Sequence, residues 1–105
     1  MKKPRVAFSD AAVADILEQS EWYEAQADQN LAQRWAEAVS ATALRIAETP
    51  EAGPLCRFRA HELSGVRRMA IAGFAKHLIF YLLREDEVFV LRVIHGARDL
   101  ESLFE

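Results

Sequence analysis

Apolar positions in the first half of the chain recur at the three- and four-residue intervals of an α-helix. Between residues 10 and 26 the stripe is formed by Val13, Ile16, Leu17, Ser20, Tyr23 and, just beyond, Ala27. The opposite side carries Asp15, Glu18, Glu21 and Asp28. This pattern predicts an amphipathic helix over residues 10–26 that buries the apolar stripe, with Ser9 or Asp10 as its N-cap.

A second helical pattern follows the polar residues 28–30. Its stripe comprises Leu31, Trp35, Val39, Thr42 and Ile46. Pro50 ends the pattern, because proline lacks a backbone N–H and restricts the residue before it. Together the two segments predict a helical hairpin with a short turn.

Beyond Pro50 the hydrophobic period changes to that of strands. Residues 66–71 alternate, and residues 77–83 and 88–94 are nearly continuous apolar runs separated by a polar turn at 84–87. We therefore predict one strand followed by a hairpin of two central strands.

The ends of the chain add two short elements. Residues 6–8 predict a first strand, and Asp99 is expected to cap a final helical turn over Leu100, Leu103 and Phe104. The resulting order, β-α-α-β-β-β, predicts an α+β fold in which the helical hairpin packs on a mostly antiparallel sheet. For 105 residues, 51% of them hydrophobic, we expect a single domain spanning residues 1–105.

Charge is distributed unevenly along the sequence. The net charge is −3, but residues 55–84 contain one carboxylate, Glu62, against the cations Arg57, Arg59, Arg67, Arg68, Lys76 and Arg84. Such a positive segment indicates a face for an acidic partner, either protein or nucleic acid. The alternative is a solvated sheet face that needs no partner.

Few residues suggest covalent or metal chemistry. Cys56 is the only cysteine, so no disulfide forms within the chain, which fits a reducing cytoplasm. His61 and His77 lack metal-ligand spacing with each other or with Cys56, so we expect no metal and no other cofactor. Asp10 and Asp15 interrupt the apolar stretch behind the basic start of the chain, which predicts neither a signal peptide nor a membrane span.

Three segments, in this order, resemble one known family. They are residues 49–53 (Thr-Pro-Glu-Ala-Gly), residues 65–68 running on to the Lys-His-Leu-Ile-Phe-Tyr stretch at 76–81, and residues 90–99, which end in His-Gly-Ala-Arg-Asp. After a helical hairpin, this set resembles the ParE branch of the RelE/ParE toxin superfamily over nearly the whole chain. The resemblance implies a type II toxin held inactive by a cognate antitoxin, whose C-terminal segment wraps the helical hairpin and the sheet.

The two branches of this superfamily imply different activities. ParE members are described as poisons of DNA gyrase, whereas RelE members cut mRNA in the ribosome with clustered lysines and arginines and usually a C-terminal tyrosine. Residues 100–105 contain two carboxylates and no tyrosine, and Lys76 is the only lysine beyond residue 3. The guanidinium groups of Arg67, Arg92 and Arg98 do not deprotonate, so they are poor bases.

The remaining groups able to transfer a proton belong to His61, His77, His95 and Tyr81. We therefore expect a non-enzymatic toxin that inhibits DNA gyrase by binding it and that meets nucleic acid only through its antitoxin. Two alternatives stay open. One is a RelE-like, ribosome-dependent mRNA endoribonuclease, and the other is a non-toxic family member that acts as corepressor with its antitoxin.

The resemblance and the charge pattern indicate two sets of candidate binding residues. The target-binding candidates are Arg67, Arg68, Lys76, His95 and Arg98. The antitoxin-binding candidates are Trp22, Tyr23, Trp35 and Tyr81. Because Trp22 lies off the apolar stripe of the first helix, we expect it to be exposed and available to an antitoxin helix.

For most of these residues the alternative is a structural role. Arg67 and Arg98 would brace the sheet if they paired with Glu62, Asp99 or the C-terminal carboxylate, and a ring nitrogen of His95 bonded to the backbone would lock the turn that follows it. The aromatic side chains would belong to the core. If the two arginines bind the target, Arg67→Ala or Arg98→Ala should lower toxicity without unfolding the protein.

Overall fold

The computed structural model describes residues 4–26, 28–98 and 100–104. Its strands are β1 (Arg5–Phe8), β2 (Arg67–Ile71), β3 (Phe74–Arg84) and β4 (Glu87–His95). Its helices are α1 (Asp10–Gln26) and α2 (Gln29–Glu48), and short 3-10 turns lie at His61–Leu63 and Glu101–Phe104. The predicted order of elements is confirmed, with the turn at His61–Leu63 as an addition. Ala27 and Asp99, the expected cap of the last turn, lie outside the described residues.

The four strands form one sheet in the order β1-β4-β3-β2. β3 pairs antiparallel with both β2 and β4, whereas β1 runs parallel to β4. The predicted α+β fold with a mostly antiparallel sheet is therefore confirmed. Gly73, whose φ is +80°, makes the left-handed turn through which β2 returns as β3. Within the described part of the chain, neither helix is long and apolar enough to cross a membrane.

α2 packs on the sheet with the side that its apolar stripe predicts. Asp28 caps the helix by accepting a hydrogen bond from the backbone N–H of Leu31 at 2.7 Å. The Trp35 indole donates to the carbonyl oxygen of Ile16 at 3.1 Å, which ties α2 to α1. The buried members of the stripe are Trp35, Val39, Thr42 and Ile46.

α1 corrects the prediction made from its apolar stripe. Ser9 caps the helix, as predicted, by accepting a hydrogen bond from the backbone N–H of Ala12 at 3.0 Å. The buried residues are Ala12 and Asp15, whereas Val13 and Leu17 are 44% and 57% exposed. The predicted burial of Val13 and Leu17, and the predicted exposure of Asp15, are therefore wrong. The reason is that α1 contacts α2 and β4 through the side that carries Ala12 and Asp15, which leaves Val13 and Leu17 at the surface.

Side chains in and before α1 replace a missing strand partner along β4. Among the described residues, β1 pairs with only the first half of β4, so no strand covers the second half on that side. The Ser9 hydroxyl donates to the carbonyl oxygen of Leu91 at 2.7 Å, and the Asp15 carboxylate accepts the backbone N–H of Val93 at 3.0 Å. The same carboxylate accepts two hydrogen bonds from the Arg92 guanidinium, at 2.7 and 2.8 Å, which raise the pKa of Arg92.

Alternation along β3 divides the core between the two faces of the sheet. Ile79 and Tyr81 point toward the helices, whereas Phe80 between them belongs to a second cluster on the opposite face. The segment between α2 and β2 and the C-terminal turn contribute to this second cluster. Its buried members are Leu63, Val66, Phe80, Ile94 and Leu100.

Candidate functional site

The segment that follows α2 is fixed to the sheet by two of the candidate side chains. Arg67 donates from Nη1 to the carbonyl oxygens of Glu51 and Gly53, at 2.9 and 2.7 Å. The Tyr81 hydroxyl donates to the carbonyl oxygen of Pro50 at 2.8 Å. A Cβ on Gly53 would lie 2.6 Å from both the carbonyl oxygen of Arg68 and the Tyr81 hydroxyl, so only glycine fits there. The motif at residues 49–53 thus has a structural explanation.

Three other arginines converge on the sheet face that points away from the helices. Arg57, Arg68 and Arg98 line a cleft of about 370 Å³, which we call the arginine cleft. All three side chains are exposed. The apolar residues of the cleft are Phe58, Leu78, Phe80 and Leu100. The arrangement combines three permanent positive charges with an apolar floor.

Backbone hydrogen bonds from three segments hold the arginine cleft in place. The Cys56 N–H donates to Val66 at 2.8 Å and the Arg68 N–H donates to Pro54 at 3.2 Å, so the segment carrying Arg57 runs along the outer edge of β2. On the other side, the Gly96 N–H donates to the carbonyl oxygen of Lys76 at 2.7 Å and extends the pairing of β3 with β4. The Arg98 N–H then donates to the carbonyl oxygen of His95 at 3.0 Å, which closes a turn at the end of β4.

The chemistry of the arginine cleft favours binding over proton transfer. Among the described residues, none of its three arginines forms an ion pair with a carboxylate. Its thiol, Cys56, has a pKa raised by burial, with Arg68 acting in the opposite direction. No histidine, tyrosine or carboxylate is among the described residues that line it. The cleft can hold an anion, but it offers no group suited to accept a proton near neutral pH.

A second cavity, the histidine pocket, lies between α1 and the end of β4. It has a volume of about 210 Å³, and its polar lining includes Asp15, Glu18, His77, His95 and Arg98, with Trp22 beside them. The His95 Nδ1 accepts a hydrogen bond from the Ala97 N–H at 3.0 Å, which confirms that a ring nitrogen locks this turn.

His77 is the more enclosed of the two histidines in this pocket. Its ring centroid lies 5.0 Å from that of Trp35 and 5.6 Å from that of His95. Burial lowers the pKa of His77, and the neighbouring His95 lowers it further. Nowhere among the described residues do three or more histidine, cysteine, aspartate or glutamate side chains gather as a metal site would require.

An apolar groove runs between the two helices, on the side of α1 opposite to the histidine pocket. This helical groove has a volume of about 240 Å³ and is lined by Phe8, Val13, Ile16, Leu17, Ala36, Val39 and Ser40. Leu44, one helical turn beyond Ser40, is 63% exposed. The groove is therefore flanked by exposed leucine and valine side chains on both helices.

The four aromatic candidates lie at different depths. Trp22 is 56% exposed, as predicted, and its ring meets the half-buried Tyr23 edge-on at 5.7 Å. Trp35 and Tyr81 are 0% exposed, so a partner on the surface does not touch them directly. The structural alternative accounts for these two buried residues.

The candidate target-binding residues also lie in different places. Arg68 and Arg98 meet in the arginine cleft, whereas Arg67 is turned toward the segment after α2. Lys76 is exposed, and neither Lys76 nor His95 is among the lining residues of the cleft. Arg57 was not among the candidates, although its place in the positive segment 55–84 could have identified it.

Comparison with known proteins places this architecture in a family. Residues 6–100 match the model of a family described as "ParE toxin of type II toxin-antitoxin system, parDE". The chain belongs to the ParE toxin family. This match confirms the resemblance found in the sequence and implies an antitoxin as partner.

Solved structures extend the comparison to the fold. The chain is similar to a protein from the chromosomal ParDE toxin–antitoxin system of P. aeruginosa, with a TM-score of 0.73 and 13% identity over 89% of this chain and 96% of the other. It also matches the solution structure of the conserved hypothetical protein HP0894 from Helicobacter pylori, with a TM-score of 0.45 and 15% identity over 90% and 97% of the two chains. No curated protein sequence is similar enough to add to the comparison.

Proposed function

We propose that this ParE-family toxin acts in the cytoplasm by binding and inhibiting DNA gyrase, and that a cognate antitoxin neutralises it. The observation that carries the proposal is the match to the ParE toxin family over residues 6–100. The members of this family that the sequence resembles are described as gyrase poisons. The toxin would contact nucleic acid only indirectly, because the antitoxin would bind DNA within a repressor complex.

The geometry supports inhibition by binding rather than RNA cleavage. Within the arginine cleft, no histidine, tyrosine or carboxylate lies among the described lining residues that surround Arg57 and Arg68. The hydroxyl of Tyr81 is buried and donates to a backbone carbonyl, and burial raises its pKa, so it is not available for acid–base chemistry. His77 and His95 lie in the histidine pocket, which shares Arg98 with the arginine cleft but neither Arg57 nor Arg68.

The helical groove is the surface that best fits the antitoxin. Its exposed residues Val13 and Leu17 are spaced by four positions along α1, which suits the apolar side of an amphipathic partner helix. Trp22 lies on the opposite side of the same helix, beside the histidine pocket, where its exposed ring offers a second anchor for an antitoxin segment that passes around α1. The exposed carboxylates of Asp10 and Glu21 near the two ends of α1 would favour a partner segment that also carries basic residues.

A supercoiling assay tests the proposed target. Purified toxin would be titrated into gyrase holoenzyme with relaxed plasmid and ATP, with and without the cognate antitoxin. We expect supercoiling to fall, broken DNA to accumulate, and both effects to disappear once antitoxin is added. Intact supercoiling together with cleaved mRNA in a translation extract would instead establish the RelE-like activity. No effect in either assay would favour a corepressor without toxicity.

A variant of the groove tests the proposed antitoxin surface. Leu17→Glu introduces a charge at an exposed apolar position, so we expect it to weaken antitoxin binding at least about tenfold while leaving the melting temperature unchanged. The matched control is Ala41→Glu, which places the same charge on the exposed side of α2 that also carries Arg34 and Arg45. Equal affinities of the two variants in a calorimetric titration would refute this assignment.

A further inference from the structure

The arginine cleft is assembled from residues that are distant in sequence. Arg57 comes from the segment after α2, Arg68 from β2, and Arg98 from the chain after β4. Three exposed cations without carboxylate partners in the cleft concentrate positive potential there, and a bound anion would be attracted to it. The described part of the chain supplies no ion pair for any of the three.

The chemical character of the cleft defines the class of ligand. Guanidinium groups are planar donors that hold carboxylates or phosphates through paired hydrogen bonds. Below them the floor is apolar, with the rings of Phe58 and Phe80 tilted against each other at 6.4 Å. The volume of about 370 Å³ lies within the usual range of ligand sites. The fitting ligand therefore combines anionic groups with an apolar side chain.

Two observations favour a peptide over a nucleic acid. A nucleic acid backbone requires a track of positive charge, and the chain as a whole has a net charge of −3. Close to Phe58, the carboxylate of Glu101 accepts hydrogen bonds from the backbone N–H groups of Arg59 and Ala60, at 3.0 and 2.8 Å. This negative charge confines the positive surface to the three arginines, which suits a short acidic segment better than a continuous phosphate backbone.

We propose that the arginine cleft binds a short acidic peptide segment of the toxin's protein target. Two carboxylates of that segment pair with guanidinium groups of the cleft, and an apolar side chain between them rests on Phe58 and Leu78. The inference builds on the proposed function, since it assigns the surface through which a protein target is bound. It also separates this surface from the helical groove that is left to the antitoxin.

A binding assay with defined probes tests the ligand class without using gyrase. The probe is a fluorescein-labelled Glu-Phe-Glu-Phe-Glu peptide, compared with Gln-Phe-Gln-Phe-Gln and with a short oligo-dT, each measured by fluorescence anisotropy. We expect the acidic peptide to bind best, more weakly at higher salt, and at least about tenfold more weakly to Arg68→Glu and Arg57→Glu. The control Arg34→Glu makes the same charge change at an exposed site on α2 and should bind like the wild type.

Three results of this assay would overturn the proposal. The first is binding of the acidic peptide no tighter than that of its glutamine counterpart. The second is equal binding of the acidic peptide to the Arg68→Glu and Arg34→Glu variants. A tighter, arginine-dependent complex with oligo-dT would identify the cleft as a nucleic acid site instead. Circular dichroism of each variant establishes that it is folded, and Arg68→Lys, which keeps the charge, should retain part of the affinity.

A gyrase assay with the same variants separates this inference from the proposed function. We expect Arg57→Glu and Arg68→Glu to require at least about tenfold more protein than wild type or Arg34→Glu to inhibit supercoiling, with antitoxin binding unchanged. If the wild type inhibits gyrase and the cleft variants inhibit equally well, the inference fails while the proposed function stands. If the acidic peptide binds through the arginines but gyrase is unaffected, the proposed function fails and the cleft assignment stands.

Discussion

Arg67 and Arg68 are neighbours on β2, yet the structure uses them in opposite ways. Arg67 is paired in register with Tyr81 and turns toward the segment after α2, where two backbone carbonyls accept its hydrogen bonds. Arg68 is paired with Phe80 and points to the other face, into the arginine cleft. The alternation of a strand therefore assigns one arginine to the fold and leaves the next one free for a ligand.

The same division extends to the rest of the molecule. Arg92 is enclosed with Asp15 on the side of α1, with side-chain exposures of 15% and 8%. Arg57 and Arg98 lie exposed with Arg68 on the open face. Arginines of the first kind should affect stability when replaced, and those of the second kind should affect binding only.

The largest effect is expected at the enclosed ion pair. Asp15→Ala leaves the Arg92 guanidinium and the Val93 N–H without their acceptor, so unfolding should become easier by about 3–5 kcal/mol. Urea denaturation followed by circular dichroism measures this change. Glu21→Ala, an exposed carboxylate on the same helix, should change stability by no more than about 0.5 kcal/mol. Similar losses for both variants would mean that the pair does not stabilise the edge of β4.

A smaller loss of stability is expected for Arg67→Ala. Two hydrogen bonds from a charged donor are lost, which corresponds to about 2 kcal/mol, whereas Arg68→Ala should stay within about 0.5 kcal/mol. This revises the expectation from the sequence that Arg67→Ala leaves the fold intact. If the neighbouring variants unfold at the same urea concentration, the proposed division between them is wrong.

Removal of the Tyr81 hydroxyl tests the attachment of the same segment after α2, with a smaller expected loss of stability. Tyr81→Phe keeps the buried ring but loses the hydrogen bond to Pro50, at a cost of about 1 kcal/mol. Gyrase inhibition should be unchanged at temperatures where the variant is folded, because the ring is not exposed. A loss of inhibition by the folded Phe variant would indicate that this hydroxyl has a functional role.

The smallest effect is a dependence of stability on pH through His77. Burial lowers the pKa of His77 below its ordinary value near 6.5, so folding favours the neutral ring. The contribution of the neutral His77 ring to the free energy of unfolding is fully present above pH values near 6.5. It is lost as the pH falls through the lowered pKa of His77 in the folded state. Asp15, Glu18, His95 and Arg98 surround the same pocket and add their own charges.

Two histidine variants test this dependence. His77→Phe should lose less stability than the wild type on acidification from about pH 7 to pH 5, whereas His61→Phe, at an exposed position, should follow the wild type. Thermal melts over this range provide the comparison. Identical pH profiles for wild type and His77→Phe would contradict the assignment.

Much of the fold was predictable because its signals are local. The stripe of α2, the bounds of α1 and the apolar runs of β3 and β4 each follow from the period of neighbouring residues. The buried face of α1 could not be predicted from local periodicity. Asp15 is buried because it pairs with Arg92, which lies 77 positions away in the sequence. An apolar stripe indicates where a helix can pack, and on α1 part of that stripe lines the exposed helical groove instead.

The candidate site was predictable in kind but only partly in its members. The positive segment identified Arg68, and the family motif identified Arg98, yet neither revealed that both meet Arg57 in one cleft. Arg67 and Arg68 are adjacent arginines, and only the pairing register of β2 distinguishes them. Trp22 was correctly expected at the surface because it lies off the apolar stripe.

The most direct test of the account is a titration of gyrase supercoiling with wild-type, Arg67→Ala and Arg68→Ala toxins, each at a temperature where it is folded. We predict that the wild type inhibits supercoiling, that Arg67→Ala inhibits equally well per folded molecule, and that Arg68→Ala is weaker. Full supercoiling in the presence of wild-type toxin would contradict the proposed function. Equal inhibition by Arg68→Ala and wild type would contradict the division between the two arginines.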